Sequence, residues 1–122
     1  MEPIGVHHVS VNVRDVDEAL TFYTGVLGLK KRSDRPNFGF GGAWLDAGDG
    51  QQVHLIEAPV PPDLGQHLAL GVSDLAGTIS ELRQGGLEVT DAIEVGPGYQ
   101  AFLHDPAGNT IELFQWGALE AG

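Results

Sequence analysis

The chain has no cysteine. That absence removes a disulfide framework, a thiolate zinc site, a cysteine nucleophile and a thiolate-held iron–sulfur cluster together. Bases are scarce: six Lys and Arg against 17 Asp and Glu give a formal net charge of −11. Such a field repels phosphate backbones and anionic lipid, so nucleic acid and membrane surfaces are poor partners, while solubility and cation uptake are favoured. No apolar run approaches the roughly 18 to 20 residues of a membrane span. Met1 to Val13 also lacks the basic region and apolar stretch of a secretory signal, so a cytoplasmic protein is expected. What is present is a length of 122 residues, enough for one domain with its own core, and 18 glycines, which point to many tight turns.

The chain repeats itself at an offset of 58 or 59 residues. His8-Val9-Ser10-Val11-Asn12-Val13 lies over His67-Leu68-Ala69-Leu70-Gly71-Val72, and Asp15 over Asp74. Ala43-Trp44-Leu45 lies over Ala101-Phe102-Leu103, and Val53-His54-Leu55 over Ile111-Glu112-Leu113. Two modules result, one over 4–58 and one over 66–117, joined by a Pro-rich linker over 59–65.

Each module carries the same parts. Val6 to Val13 alternates with period two and reads as a strand. Asp15 caps a helix starting near Val16, with Val16, Ala19, Leu20, Tyr23 and Leu27 as its apolar stripe and Gly25 and Gly28 at its end. Strands over Asn37 to Leu45 and Gln51 to Glu57 follow. In the second module Leu68, Leu70 and Val72 alternate, Asp74 caps a helix with Leu75, Thr78, Ile79 and Leu82 inward, and Gly85-Gly86 stops it. Strands near Glu88 to Val95, Gln100 to His104 and Thr110 to Trp116 complete it. Each module is β-α-β-β with room for one more short strand. One helix covers too little sheet for such a module to stand alone, so the two are expected to pack into one structure.

Strand parity sorts the histidines. Val9, Val11 and Val13 share one face and His8, Ser10 and Asn12 the other. By the same rule His54, His67 and Glu112 occupy the faces turned away from the helices. If the modules curl toward each other about a pseudo-twofold axis, these four side chains converge in one cleft. Three imidazoles and a carboxylate suit Zn, Fe(II), Ni, Co or Mn, and His8, His67 and Glu112 alone have the composition of a facial triad. His7 is one residue out of phase and reads as structural; His104, beside the Asp105-Pro106 turn, reads as a rim or loop residue. Glu57 is out of site phase and is expected to face solvent, while Asp15, Asp17 and Glu18 complement a helix dipole. Gly96-Pro97-Gly98-Tyr99 reads as a lip over the cleft or as a plain turn. Phe114 and Trp116 share the phase of Glu112 and line a candidate substrate pocket, with a dimer contact as the alternative for Trp116.

The stretches His8 to Val16, Ala19 to Leu29, Gln52 to Glu57, Gln66 to Val72 and Asp105 to Leu113 stand in a family order. Over about residues 4 to 117 the chain resembles the vicinal oxygen chelate superfamily, which includes glyoxalase I, methylmalonyl-CoA epimerase, extradiol dioxygenases, fosfomycin-resistance thiol transferases and bleomycin-resistance proteins. The resemblance implies an α+β fold of two paired βαβββ modules, forming a cupped sheet around a metal cleft within a single domain over 1–122. The four ligand positions of the family fall on His8, His54, His67 and Glu112. It also implies a small-molecule substrate held by two vicinal oxygens on one divalent ion, an enolate or enediolate, and a homodimer. By resemblance to glyoxalase I, Glu112 is the candidate base.

Two residues depart from that pattern. His54 stands where glyoxalase I usually has a second carboxylate, which removes a symmetric second base. Asn12, a further candidate pocket residue, stands where glutathione-dependent lyases often carry an Arg. A metal-dependent lyase or isomerase of glyoxalase type is the leading expectation. An Fe(II) extradiol-type dioxygenase and a non-catalytic drug-binding protein like the bleomycin-resistance proteins are the alternatives.

Overall fold

The computed structural model describes residues 1–119. The chain forms two compact units, Met1–Pro62 and Asp63–Gly122. In the first, β1 (His8–Val13), α1 (Val16–Gly25), β2 (Lys30–Lys31), β3 (Gly42–Asp46) and β4 (Gln52–Glu57) follow in order. The second repeats this with β5 (Leu68–Gly71), α2 (Leu75–Gln84), β6 (Ile93–Val95), β7 (Gly98–His104) and β8 (Thr110–Trp116). Each unit is therefore βαβββ, and the fold is α+β.

The sheets have matching orders, β1-β4-β3-β2 and β5-β8-β7-β6. In each, the first and last strands of the unit pair in parallel and the other pairs are antiparallel. A parallel pair cannot be closed by a tight turn. In both units the intervening helix and strands make the crossover.

Both helices begin as their sequences dictate. The Asp15 carboxylate accepts from the Glu18 amide at 2.9 Å, and Asp74 accepts from Gly77 at 3.0 Å. Each satisfies one of the amides that a helix start leaves without a partner. The first helix ends at Gly25, and Gly28 turns the chain at φ +76°. The second stops before Gly85-Gly86, with Gly86 at φ +90°. Ala19, Phe22 and Tyr23 are the buried residues of α1, and Leu75, Ile79 and Leu82 those of α2.

The helices cover the central strands, α1 on β3 and β4 and α2 on β7 and β8. Ala43 faces Leu55 and Leu45 faces Val53; their counterparts Ala101 and Leu103 face Leu113 and Ile111. All eight are essentially inaccessible. β1 is an edge strand, so its apolar face is only partly covered: Val13 is buried, whereas Val9 is 40% exposed.

Three strands start later than the period-two pattern suggests, the first of them β1, at His8 rather than Val6. Residues 37–41 form a loop, because the Asn37 side chain accepts from the Gly39 amide at 2.9 Å and Gly39 adopts φ +83°. That local turn competes with the ladder. Between α2 and β6 the pairing starts only at Ile93. Gly96-Pro97 forms the two-residue turn of the β6–β7 hairpin.

Candidate functional site

Each unit presents one pair of the four candidate ligands. In unit 1, Ser10 of β1 and Trp44 of β3 lie opposite His54 of β4, and His8 stands one pleat from Ser10 on the same face. The His8 and His54 rings stack with centroids 3.9 Å apart and planes 13° apart. Trp44 stacks on His54 at 4.6 Å, also at 13°. His54 Nε2 is 2.8 Å from Oε1 of Gln52. An amide oxygen only accepts, so Nε2 carries the hydrogen and Nδ1 is the basic nitrogen. Burial, followed by repulsion from His8 and His7, holds His54 below the ordinary His range. His54 is thus a neutral ligand-type imidazole at neutral pH.

His7 corrects the parity assignment. Its Nδ1 lies 2.9 Å from Nδ1 of His8, and its ring stands edge-on to both His8 and His54. β1 begins at His8. The alternation of a strand therefore does not extend to His7, which turns toward the cluster. Glu57 is exposed as expected, with one carboxylate oxygen 3.4 Å from the Val16 amide at the start of α1. Asn12 donates to the Pro59 carbonyl at 3.0 Å and so ties β1 to the chain beyond β4.

In unit 2, His67 precedes β5 and Glu112 lies in β8, opposite Ala69 and Phe102. His67 Nδ1 donates to the Gly65 carbonyl at 2.9 Å, and Nε2 stands 3.0 Å from Oε1 of Glu112. The bond to Gly65 fixes the tautomer. With Nδ1 carrying the hydrogen, a neutral ring would aim its Nε2 lone pair at a carboxylate oxygen. Two acceptors hold that distance only with a proton or a cation between them. The Gly65 bond first, and the Glu112 carboxylate with it, raise His67 above the ordinary His range.

The sign of that shift gives a prediction. A raised His pKa contributes stability that is full below the unfolded value and is lost as pH rises through the folded one. In metal-free protein, proton NMR should find His67 titrating above the ordinary His range and His54 below it. Glu112→Gln should bring His67 down. An unshifted His67 contradicts the pairing.

Phe114 shares the face of Glu112 and packs edge-on against Trp116, with centroids 5.1 Å apart. Trp116 is 72% exposed at the end of β8. His104 is exposed, but it is the last residue of β7, paired with Thr110 just before the Asp105–Asn109 turn, and not the loop residue expected. Among the described residues no three His, Asp or Glu side chains are grouped closely enough to hold an ion; the candidates stand as two pairs. The stacked rings of His8 and His54 would have to turn before both could bind one ion through their in-plane lone pairs. Trp44 and Gln52 were not among the candidates, although strand parity places both beside His54.

A family model described as the Glyoxalase/Bleomycin resistance protein/Dioxygenase superfamily matches residues 5–113. The chain is 31% identical to the lactoylglutathione lyase of Salmonella typhimurium, over 94% of this chain and 93% of that protein. Among solved structures it is similar to a glyoxalase family protein from Bacillus anthracis, with 27% identity, a TM-score of 0.84, and 95% and 98% of the two chains covered. It is comparably similar to TnmS3, an antibiotic binding protein from Streptomyces sp. CB03234, with 28% identity, a TM-score of 0.83, and 96% and 99% covered.

Proposed function

The chain belongs to the Glyoxalase/Bleomycin resistance protein/Dioxygenase superfamily, and we propose that it is a divalent-metal-dependent lyase of glyoxalase type acting on a small, vicinally oxygenated compound. The observation that carries the reading is the His67–Glu112 pair, two acceptors 3.0 Å apart with the far nitrogen of the imidazole anchored to a backbone carbonyl. This is the arrangement of a ligand histidine whose outer nitrogen is fixed by a second partner. His8 and His54 supply two further nitrogens. Three imidazoles and one carboxylate fit a borderline divalent ion such as Zn, Ni, Co, Mn or Fe(II). The proposal joins the two pairs on one ion, within one chain or between two copies, and treats the two units as one domain. When bound, the ion supplies a Lewis acid for the substrate oxygens.

The chain's own residues do the rest. Glu112, whose side chain is only 13% exposed, takes the proton from the carbon acid and returns it. His67 orients Glu112 through the 3.0 Å contact. His54, neutral because it is buried, binds without having to lose a proton. The position of unit 1 equivalent to Glu112 holds His54 and not a second carboxylate, so one base must serve both proton transfers. We further infer a cytoplasmic homodimer. No described helix is long and apolar enough to cross a membrane.

The test is turnover of hemithioacetals formed from methylglyoxal and a panel of thiols, glutathione included, by protein loaded in turn with each of the five ions. Metal-dependent isomerisation supports the reading. No turnover with any ion and any thiol sinks it. A second reading rests on the likeness to the antibiotic binding protein: a protein that binds a small molecule and does not transform it. Saturable binding without turnover would favour that reading.

A further inference from the structure

An aromatic strip runs away from His54 across unit 1. Beyond Trp44 comes Phe38, with ring centroids 6.1 Å apart, and then Phe40, stacked on Phe38 at 5.6 Å and 17°. Phe38 and Phe40 are 49% and 51% exposed. Two adjacent half-exposed phenyl rings on a loop mark a contact surface rather than a core.

The strip ends at Arg35. Its guanidinium lies 5.1 Å from the Phe38 centroid and 5.5 Å from that of Phe40, and it donates to the Phe40 carbonyl at 3.0 Å. Gly42 lies beneath it: a Cβ there would meet the Leu55 carbonyl oxygen at 2.5 Å first, and Arg35 Nη2 at 2.7 Å. Arg14, Arg32 and Arg83 are each paired with a carboxylate, whereas Arg35 has no such partner among the described residues. In a chain where acids outnumber bases 17 to 6, that is an unusual position for an arginine. A guanidinium pre-oriented by two rings, with donors left over, is suited to a carboxylate from outside.

We propose that the strip binds an aromatic carboxylate, its flat ring system against Phe38, Phe40 and Trp44 and its carboxylate on Arg35. The proposal rests on the lyase reading only for orientation: the oxygenated end of the substrate lies toward His54 and His8, and the acid end toward Arg35. The substrate class is then an aryl acid that also carries vicinal oxygens.

The test is calorimetry on chelator-treated full-length protein, with 2-naphthoate, 2-naphthalenemethanol and cyclohexanecarboxylate as probes. Naphthoate should bind saturably and at least about tenfold tighter than cyclohexanecarboxylate. Arg35→Gln should weaken naphthoate by about five- to tenfold and leave naphthalenemethanol unchanged. Phe38→Ala/Phe40→Ala should weaken both aryl probes by about tenfold. No saturable naphthoate binding, or equal losses of acid and alcohol in Arg35→Gln, overturns the proposal. So does sedimentation showing that Phe38→Ala/Phe40→Ala dissociates a dimer while naphthoate affinity is unchanged, which assigns the strip to a second copy. Because the ion is removed beforehand, naphthoate binding by a protein that takes up no metal supports the strip and sinks the lyase reading alone.

Discussion

Replacing Glu112 with Gln should lower turnover by about 10²- to 10⁴-fold, the range lost when a positioned general base is removed. The substitution keeps the size of the side chain and supplies an amide N–H that can donate to the lone pair of His67 Nε2, now 3.0 Å from the carboxylate. It removes the charge and the basicity. Glu112 projects from the face of β8 opposite to that of Ile111 and Leu113, which carry the core contacts. The thermal midpoint should therefore move little while activity collapses. Circular dichroism melts beside a progress curve separate the two effects. If Glu112→Gln keeps wild-type turnover, the base lies elsewhere and the assignment fails. His67→Ala offers a check: it leaves the carboxylate but removes its orienting partner, so it should also lose activity and affinity for the ion.

The second large effect is on stability. Leu103→Ala should cost about 2–5 kcal/mol, the transfer of the lost methyl groups plus the cavity they leave. Leu103 is 1% exposed, faces Ile111 across the β7–β8 ladder and lies in the sheet that α2 covers. The repeat supplies an internal control. Leu45 is its counterpart in unit 1, 0% exposed and facing Val53, so Leu45→Ala should cost a similar amount. Domains of this size are stable by only about 5–15 kcal/mol in total. Urea titrations should show a lower midpoint for either variant. A change well under about 1 kcal/mol would mean that the residue is not in a packed core.

Most of the architecture was legible because two periodicities and one repeat point the same way. Asp15 and Asp74 stand 59 residues apart, each before an apolar stripe at helical spacing, and both cap helices. The alternation of Val53-His54-Leu55 and Ile111-Glu112-Leu113 separated the core residues from the opposite face of the strand in both units. Parity fails where the ladder stops. His7 stands one residue before β1 and swings to its neighbours, and the Asx turn at Asn37 removes the start of a strand that alternation would continue. Strand faces were legible, but the parallel register that places His54 beside Ser10, one pleat from His8, was not, because alternation says which side a residue takes and not which strand lies beside it. Nor was the setting of the rings. Stacking of His8, His54 and Trp44 depends on side-chain rotamers and on which nitrogen Gln52 engages. Arg35 was invisible for a similar reason, because its place over two phenyl rings is made by a loop with no period to read.

The central claim is that His8, His54, His67 and Glu112 hold one divalent ion. Elemental mass spectrometry on untagged protein, purified without chelator or immobilised nickel, tests it directly, with His67→Ala/Glu112→Ala alongside. The account predicts close to one first-row metal ion per chain in the wild type and almost none in the double variant. Absence of metal from the wild type, with no uptake on reconstitution, or equal metal in both proteins, would contradict it.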